Sequence, residues 1–348
     1  MADHMGMASQ LAGNALRFGW YSTVNWLAGR RGAASGVDAQ PRYRPERPVP
    51  GRAELMADLR DLFRRDAELV RDGFAAVAAS EPAGGLADHL GRLRDMFRDV
   101  PKAAGRRAER NAATVAPLAE AASVPDYFAQ DFHFQKGGYL AEESARLYDV
   151  QVETLFYGSA GAMRRAALRP IGNYLLGRDQ RSVSLLDVAC GTGRLLREIR
   201  FVYPALHLSG IDLSPAYLEE AARHMGRLRP AHLIAANAEA IPLPDASQDI
   251  VTSVFLFHEL PPEVRRRVAA EMARVLKPGG LLVFVDSLQM GDRPGWDGLL
   301  EAFPHRFHEP YFPHYAIDDL DRVFADAGLV GETWWPAFLS KVMVRRKA

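Results

Sequence analysis

Leu185-Leu186-Asp187-Val188-Ala189-Cys190-Gly191-Thr192-Gly193-Arg194 is the stretch whose reading decides the fold. An apolar run ends in an acid, turns on two closely spaced glycines and opens a helical pattern. Gly191 and Gly193 permit backbone angles, and an approach by a ligand, that a Cβ would block. As strand, tight turn and helix, this stretch places a nucleoside-binding bend at the carboxyl edge of a parallel sheet.

Outward from that bend the pattern alternates. Strands are expected at 183–189, 207–212, 232–236, 249–255 and 280–286, and helices at 193–203, 215–227 and 262–275. Such alternation builds a parallel sheet through right-handed crossovers. A helix near 317–327 follows, then two strands at 330–336 and 339–346, close enough to pair antiparallel.

The second strand ends in Gly210-Ile211-Asp212-Leu213-Ser214. An acid at this edge accepts both hydrogen bonds of a ribose diol. The alternative is that Asp212 caps the next helix, but Ser214 is better placed to do so, directly before Pro215. A glycine bend alone does not separate nucleoside cofactors. Here the third glycine of G-x-G-x-x-G is missing, since Gly193 is followed by Arg194-Leu195-Leu196. Pyrophosphate needs close contact with a helix N-terminus, and Asp187 would repel it. That acid suits a cationic amino acid moiety, which disfavours a dehydrogenase using NAD.

Four segments in order resemble the class I S-adenosylmethionine (SAM)-dependent methyltransferases, most closely the ubiquinone/menaquinone-type group. They are the run from Asp187 to Gly193, Gly210 to Ser214, Asn237-Ala238-Glu239-Ala240-Ile241-Pro242-Leu243-Pro244, and Val275-Leu276-Lys277-Pro278-Gly279-Gly280. The resemblance covers about residues 150–348. It implies an α/β, Rossmann-like seven-stranded sheet with an antiparallel terminal pair, and SAM as cofactor. It also implies cofactor contacts at Asp187, Gly191, Gly193, Asp212, Leu213, Asn237, Ala238 and Phe255. Asn237 meets the adenine amino group and Ala238 the ring edge, and Phe255 lies beside the methionine part. Many relatives carry Asp at the position of Asn237; an amide carbonyl oxygen serves the same contact.

Before residue 183 no strand pattern stands out. Helices are expected at 8–29, 52–79, 86–99, 104–122, 139–156 and 159–176, with a proline- and arginine-rich linker over 36–51. The division is therefore an all-helical N-terminal cap or dimerisation region, 1–150, and a SAM-binding domain, 151–348. In the first helix Leu16, Trp20, Val24 and Leu27 share one face, which reads as packed on protein. The same helix, with Trp20, Tyr21, Trp26, Arg30 and Arg31, alternatively suits peripheral contact with a membrane surface.

Methyl transfer is an in-line displacement, so alignment of the acceptor and exclusion of water dominate. An oxygen or carbon acceptor also needs a group that deals with its proton. Candidates for that role are His258 and Glu259, after the fourth strand, and His308. The competing reading has His258 packed and Glu259 capping the helix that starts near Pro262. Candidate acceptor contacts are His133 and Tyr139, ahead of the core, and His305 and Tyr311 in the His- and aromatic-rich stretch 305–315. That stretch reads as a polar pocket wall, and no metal site is expected.

Zero net charge and the absence of a basic excess argue against a nucleic-acid partner. One cysteine, Cys190, permits no internal disulfide and no cysteine-rich zinc site. No apolar run reaches ~18–20 residues, so no membrane span is expected. The expectation is a cytoplasmic enzyme, homodimeric or peripheral to a membrane, that methylates carbon or oxygen of a small apolar or aromatic acceptor. Its alternative is a SAM-binding scaffold without activity.

Overall fold

The computed structural model describes residues 3–34, 43–77, 84–109, 124–130, 132–134 and 136–348. In chain order it has α1 (His4–Ala33), α2 (Arg52–Arg71), α3 (Gly85–Glu109), α4 (Glu142–Leu155), α5 (Ala160–Arg165) and α6 (Leu168–Leu175) before the sheet begins. The sheet region follows as β1 (Ser184–Val188), α7 (Arg194–Val202), β2 (His207–Asp212), α8 (Pro215–Met225), β3 (His232–Ala235) and β4 (Gln248–Val254). It continues through α9 (Pro262–Val275), β5 (Leu276–Ser287), α10 (Asp297–Arg306), α11 (Phe312–Tyr315), α12 (Leu320–Asp326), β6 (Leu329–Ala337) and β7 (Ser340–Lys347).

The seven strands lie in the order β3-β2-β1-β4-β5-β7-β6. All neighbours are parallel except β7, which runs antiparallel to both β5 and β6. Leu185, Leu186 and Val188 are fully buried, as a central strand covered by helices on both faces requires. The strand order reverses between β1 and β4. Ligands of open parallel sheets bind at that switch, beyond the carboxyl ends of the strands. The expected sheet and antiparallel pair are therefore present. Strand β5 begins before the expected residue 280, because Gly279 (φ +71°) and Gly280 make an irregularity inside it instead of a turn ahead of it.

The helical part departs from expectation in ways that sterics explain. Helix α2 stops at Arg71 rather than 79, where Gly73 takes φ +77°. The single helix expected over 159–176 is two, because the ring of Pro170 collides with the carbonyl of residue 166. Conversely α3 runs through Pro101 with an Asp99–Arg106 pair (3.0 Å) spanning it, so the expected helices at 86–99 and 104–122 meet. Residues 110–122 of the latter, and 36–42 of the linker, lie outside the described residues.

Helix α1 is rotated from the expected orientation by about a quarter turn and shares only Val24 with the expected stripe. Leu16, Trp20 and Leu27 are 75%, 46% and 43% exposed, and of that stripe only Val24 is buried. The buried face carries Gln10, Asn14, Tyr21 and Val24. A buried acid is the cause. Asp66 on α2 pairs with Arg165 through Nε (2.6 Å) and Nη2 (2.9 Å) and accepts from Gln10 Nε2 and Asn14 Nδ2, both at 2.8 Å. A buried carboxylate demands such partners, and that demand outweighs burial of Leu16 and Leu27. Arg165 also reaches Glu198 on α7 (3.1 Å), tying the N-terminal helices to the sheet.

Leu59, Leu62 and Phe63 of α2 belong to the same apolar core as Leu185 and Val283. Residue 150 falls inside α4, so the two expected domains share a helix and a core. The end of the linker forms a strap on α10. Glu301 accepts from Tyr43 Oη (2.5 Å) and from the backbone amides of Glu46 and Arg47 (both 3.0 Å). No helix among the described residues is long and apolar enough to cross a membrane.

Candidate active site

A pocket opens at the carboxyl ends of β1, β2 and β4. Its floor is the bend after β1, where Ala189 (φ +56°), Gly191 (φ +53°) and Gly193 (φ +71°) all take left-handed backbone. A Cβ on Gly193 would lie 2.8 Å from Ala221 Cβ on α8, so only glycine lets the bend seat against that helix. Asp212 braces the bend. Its Oδ2 accepts from the Gly191 amide (2.8 Å) and its Oδ1 from the Ser214 amide (2.9 Å). The Ser214 side chain caps α8 instead, accepting from the Tyr217 amide.

Asp187 is 2% exposed and hydrogen-bonded by Thr252 Oγ1 at 2.6 Å. Burial pushes its carboxyl up to about 7, against the Thr252 hydroxyl and the Arg164 guanidinium, which favour the ionised form. Burial likewise raises Asp212 to about 6, against the amides of Ser214 and Gly191. Two buried acids so placed favour a cationic ligand with hydroxyl donors and disfavour an anionic one.

The far end is closed by Asn237 and Tyr127. The Asn237 side-chain oxygen accepts from the Glu239 amide (2.9 Å) and faces Tyr127 Oη (3.4 Å), while Tyr127 donates to Glu239 (2.6 Å). Above the bend lie Phe128, Tyr139, Tyr148 and Tyr217. Tyr139 and Tyr148 each meet Tyr217 edge-on, at 5.5 Å between ring centroids. Ser214 Oγ donates to the Tyr139 carbonyl (2.6 Å), which fixes the turn Gly138–Leu140 over the end of β2.

Opposite the bend, after β4, Phe255 takes φ +60° and leads into the turn Phe257–Glu259. Glu259 lines the pocket and accepts from the Tyr139 hydroxyl. Behind it, Asp286 at the end of β5 is wholly buried. It accepts from the amides of Phe257 and Ser287 (both 2.7 Å) and binds His258 Nδ1 (2.6 Å). The other ring nitrogen of His258 is 3.7 Å from Glu259 Oε1. Burial pulls His258 down, but the Asp286 and Glu259 carboxylates outweigh it and raise it to about 10. His133 reaches the same wall, with Nε2 3.7 Å from Glu259 Oε1 and Nδ1 3.0 Å from Glu309 Oε1.

Residues 185–280 match the family model described as a methyltransferase domain. The chain is 34% identical over 168 residues to the ubiquinone/menaquinone biosynthesis C-methyltransferase UbiE of Methylobacterium nodulans, covering 47% of this chain and 63% of that protein. It is 35% identical over 140 residues to a demethylmenaquinone methyltransferase of Listeria welshimeri, covering 39% of this chain and 58% of that protein. It is also 34% identical over 148 residues to the O-methyltransferase cnsE of Penicillium expansum, covering 41% of this chain and 51% of that protein. The chain carries a class I SAM-dependent methyltransferase domain. Its matches span less than two thirds of each of these relatives' own length.

Within the methyltransferase domain the residues expected at the cofactor come together. Asp187, Gly191, Asp212, Leu213, Asn237, Ala238 and Phe255 line one pocket, and Gly193 shapes it from behind. SAM, the cofactor of this domain family, fits the donors and acceptors present. Asp212 keeps lone pairs beyond those used by two amides, and Asp187 offers a buried negative charge.

The acceptor side is less like the expectation. Glu259 does not cap the helix at Pro262, which has no side-chain cap; the Tyr139 hydroxyl holds Glu259 on the pocket instead. His258 is packed, with its ring fixed by Asp286. His305 is exposed and stacked on Tyr43 (centroids 3.7 Å apart), where the strap crosses α10, so it faces away from the pocket. His308 Nε2 meets Gln130 Oε1 (3.1 Å), and Gln130 Nε2 donates to Tyr311 Oη (2.9 Å). Neither His308 nor Tyr311 lines the cofactor pocket among the described residues. Glu309, between them, turns inward instead. Sequence reasoning also missed Tyr127, Phe128, Thr252 and Asp286. Only an acid at the end of the fifth strand, Val285-Asp286-Ser287, gave a signal for the last of these.

Proposed function

We propose that this chain transfers a methyl group from SAM to a carbon or oxygen of a small, apolar or aromatic acceptor. The observation that carries the reading is one pocket with two faces. Buried Asp187 and Asp212 meet the glycine bend on one side, and Glu259 stands in an aromatic wall on the other.

When bound, SAM supplies a methyl group on a sulfonium that departs as a neutral thioether. The residues of this chain have the remaining tasks. Asp212 binds the ribose hydroxyls and Asp187 holds the ammonium of the amino acid part. Phe128, Tyr139, Tyr148 and Tyr217 exclude water and offer ring faces and edges to an apolar acceptor. Glu259 is the catalytic residue assigned to meet the acceptor. His258 is a positioning residue, held by Asp286, and Tyr139 fixes the Glu259 rotamer through its hydroxyl. Relatives named for C- and for O-methyl transfer support both acceptor atoms.

The test is acceptor-dependent formation of S-adenosylhomocysteine (SAH) over a panel of reduced naphthoquinones, phenols and primary amines. Turnover on the aromatic oxygen and carbon nucleophiles, with the amines inert, is expected. Tight SAH binding without turnover on any acceptor would instead favour a scaffold.

A further inference from the structure

The wall around Glu259 carries a second constellation, which shares that carboxylate with the acceptor side of the pocket and adds two groups that methyl transfer does not need. His133, Glu259 and Glu309 come from three separate stretches of chain, and one ligand atom from each lies within 4.8 Å of the others. We propose that these three side chains form a binding site for one divalent first-row transition cation, of the manganese or zinc type.

The decisive residue is Glu309. It is 2% exposed, and neither carboxylate oxygen has a hydrogen-bond donor, although both are shut away from solvent. His133 Nδ1 lies 3.0 Å from Oε1 without making a directed hydrogen bond to it. A buried carboxylate with no donor is costly, and burying charge is tolerated when it is paired or coordinates a metal. Asp66, by contrast, has four donor contacts and Asp286 has three, while Glu220, whose two oxygens also lack a directed hydrogen bond, is paired with the guanidiniums of Arg92 and Arg223.

The geometry and the chemistry suit a cation. Nitrogen and oxygen ligands sit about 2.0–2.2 Å from zinc, so three ligands around one ion stand about 3.3–3.8 Å apart. The separations in the cluster, all within 4.8 Å, therefore need to close by at most about 1–1.5 Å, which side-chain rotation can supply. Two carboxylates neutralise a dication, and an imidazole favours a transition metal over magnesium or calcium. His258 already has Asp286 on Nδ1, which leaves it beside the site rather than in it. No spacing motif joins the three ligands, which meet only when the stretch at 132–134 packs against the one after α10.

Tag-free full-length protein titrated with MnCl2 tests this directly. Electron paramagnetic resonance is expected to show one saturable site per chain, displaced by an equimolar amount of zinc. Pulsed measurements on the wild-type complex are expected to show one imidazole nitrogen on manganese. Glu309→Gln and His133→Asn should each weaken binding at least tenfold, while His305→Ala binds as the wild type does. No saturable site at millimolar manganese or zinc, or a bound ion without nitrogen coupling, would overturn the proposal. So would an unchanged Kd in a folded Glu309→Gln protein. SAH affinity measured on the same samples reports separately on the methyltransferase pocket.

Discussion

Replacing Asp212 with alanine removes the group that both shapes the bend and receives the ribose. Its two oxygens offer about four lone-pair directions. The Gly191 and Ser214 amides occupy one on each oxygen, at 2.8 and 2.9 Å, which leaves two for a vicinal diol. A hydrogen bond to a charged group contributes about 1.5–3 kcal/mol. Two lost at the lower figure amount to about 3 kcal/mol, or roughly 150-fold in Kd. Water entering the space returns part of this, so SAH should bind between about tenfold and about 150-fold more weakly. Asp212→Asn should recover little, because its NH2 group must face one of the two backbone amide donors. Calorimetry with SAH at pH 8 reads the effect, and circular dichroism confirms the fold. A folded Asp212→Ala protein that binds SAH within threefold of wild type would refute the ribose assignment.

Because burial raises Asp187 to about 7, SAH affinity should be flat above about pH 8 and fall toward tenfold per unit below 7. The sign for stability is opposite. An acid whose folded pKa exceeds its unfolded value of 3.8 favours the unliganded fold less as pH rises from about 4 to 7. Asp187→Asn should flatten both profiles, and calorimetry and thermal melts across pH check them. Gly193→Ala should cost about 1–3 kcal/mol in urea denaturation, from its φ of +71° and the 2.8 Å approach to Ala221 Cβ. Arg165→Met should cost about 3–5 kcal/mol, since it strands the buried Asp66 charge; an unchanged urea midpoint would show that Gln10 and Asn14 suffice. Glu259→Gln should lower methyl transfer about 100-fold with SAH affinity within threefold, measured by SAH release.

The cofactor half of the site was legible because each part of it is local. A strand end, a glycine bend and a helix start are consecutive, so Asp187, Gly191 and Gly193 share a pocket by chain continuity alone. Asp212 and Asn237 occupy the same edge of neighbouring parallel strands. The acceptor half was not legible because it is assembled across the chain. Helix start and pocket wall were equal claims on Glu259, and the tyrosine that decides between them, Tyr139, is 120 residues away. In the stretch 305–315, His305, His308 and Tyr311 looked most reactive. Packing turned His305 onto Tyr43, joined His308 and Tyr311 through Gln130, and sent Glu309 inward.

Periodicity and glycine placement, the sequence by itself, determined the parallel sheet, its antiparallel end and the position of the cofactor bend, since these follow from backbone geometry within short windows. Tertiary structure alone decided which face of α1 is buried and which side chains stand opposite the cofactor. Those choices depend on satisfying buried charges such as Asp66 and Asp286, and the partners that satisfy a buried charge are set by the folded packing and not by neighbours in the chain.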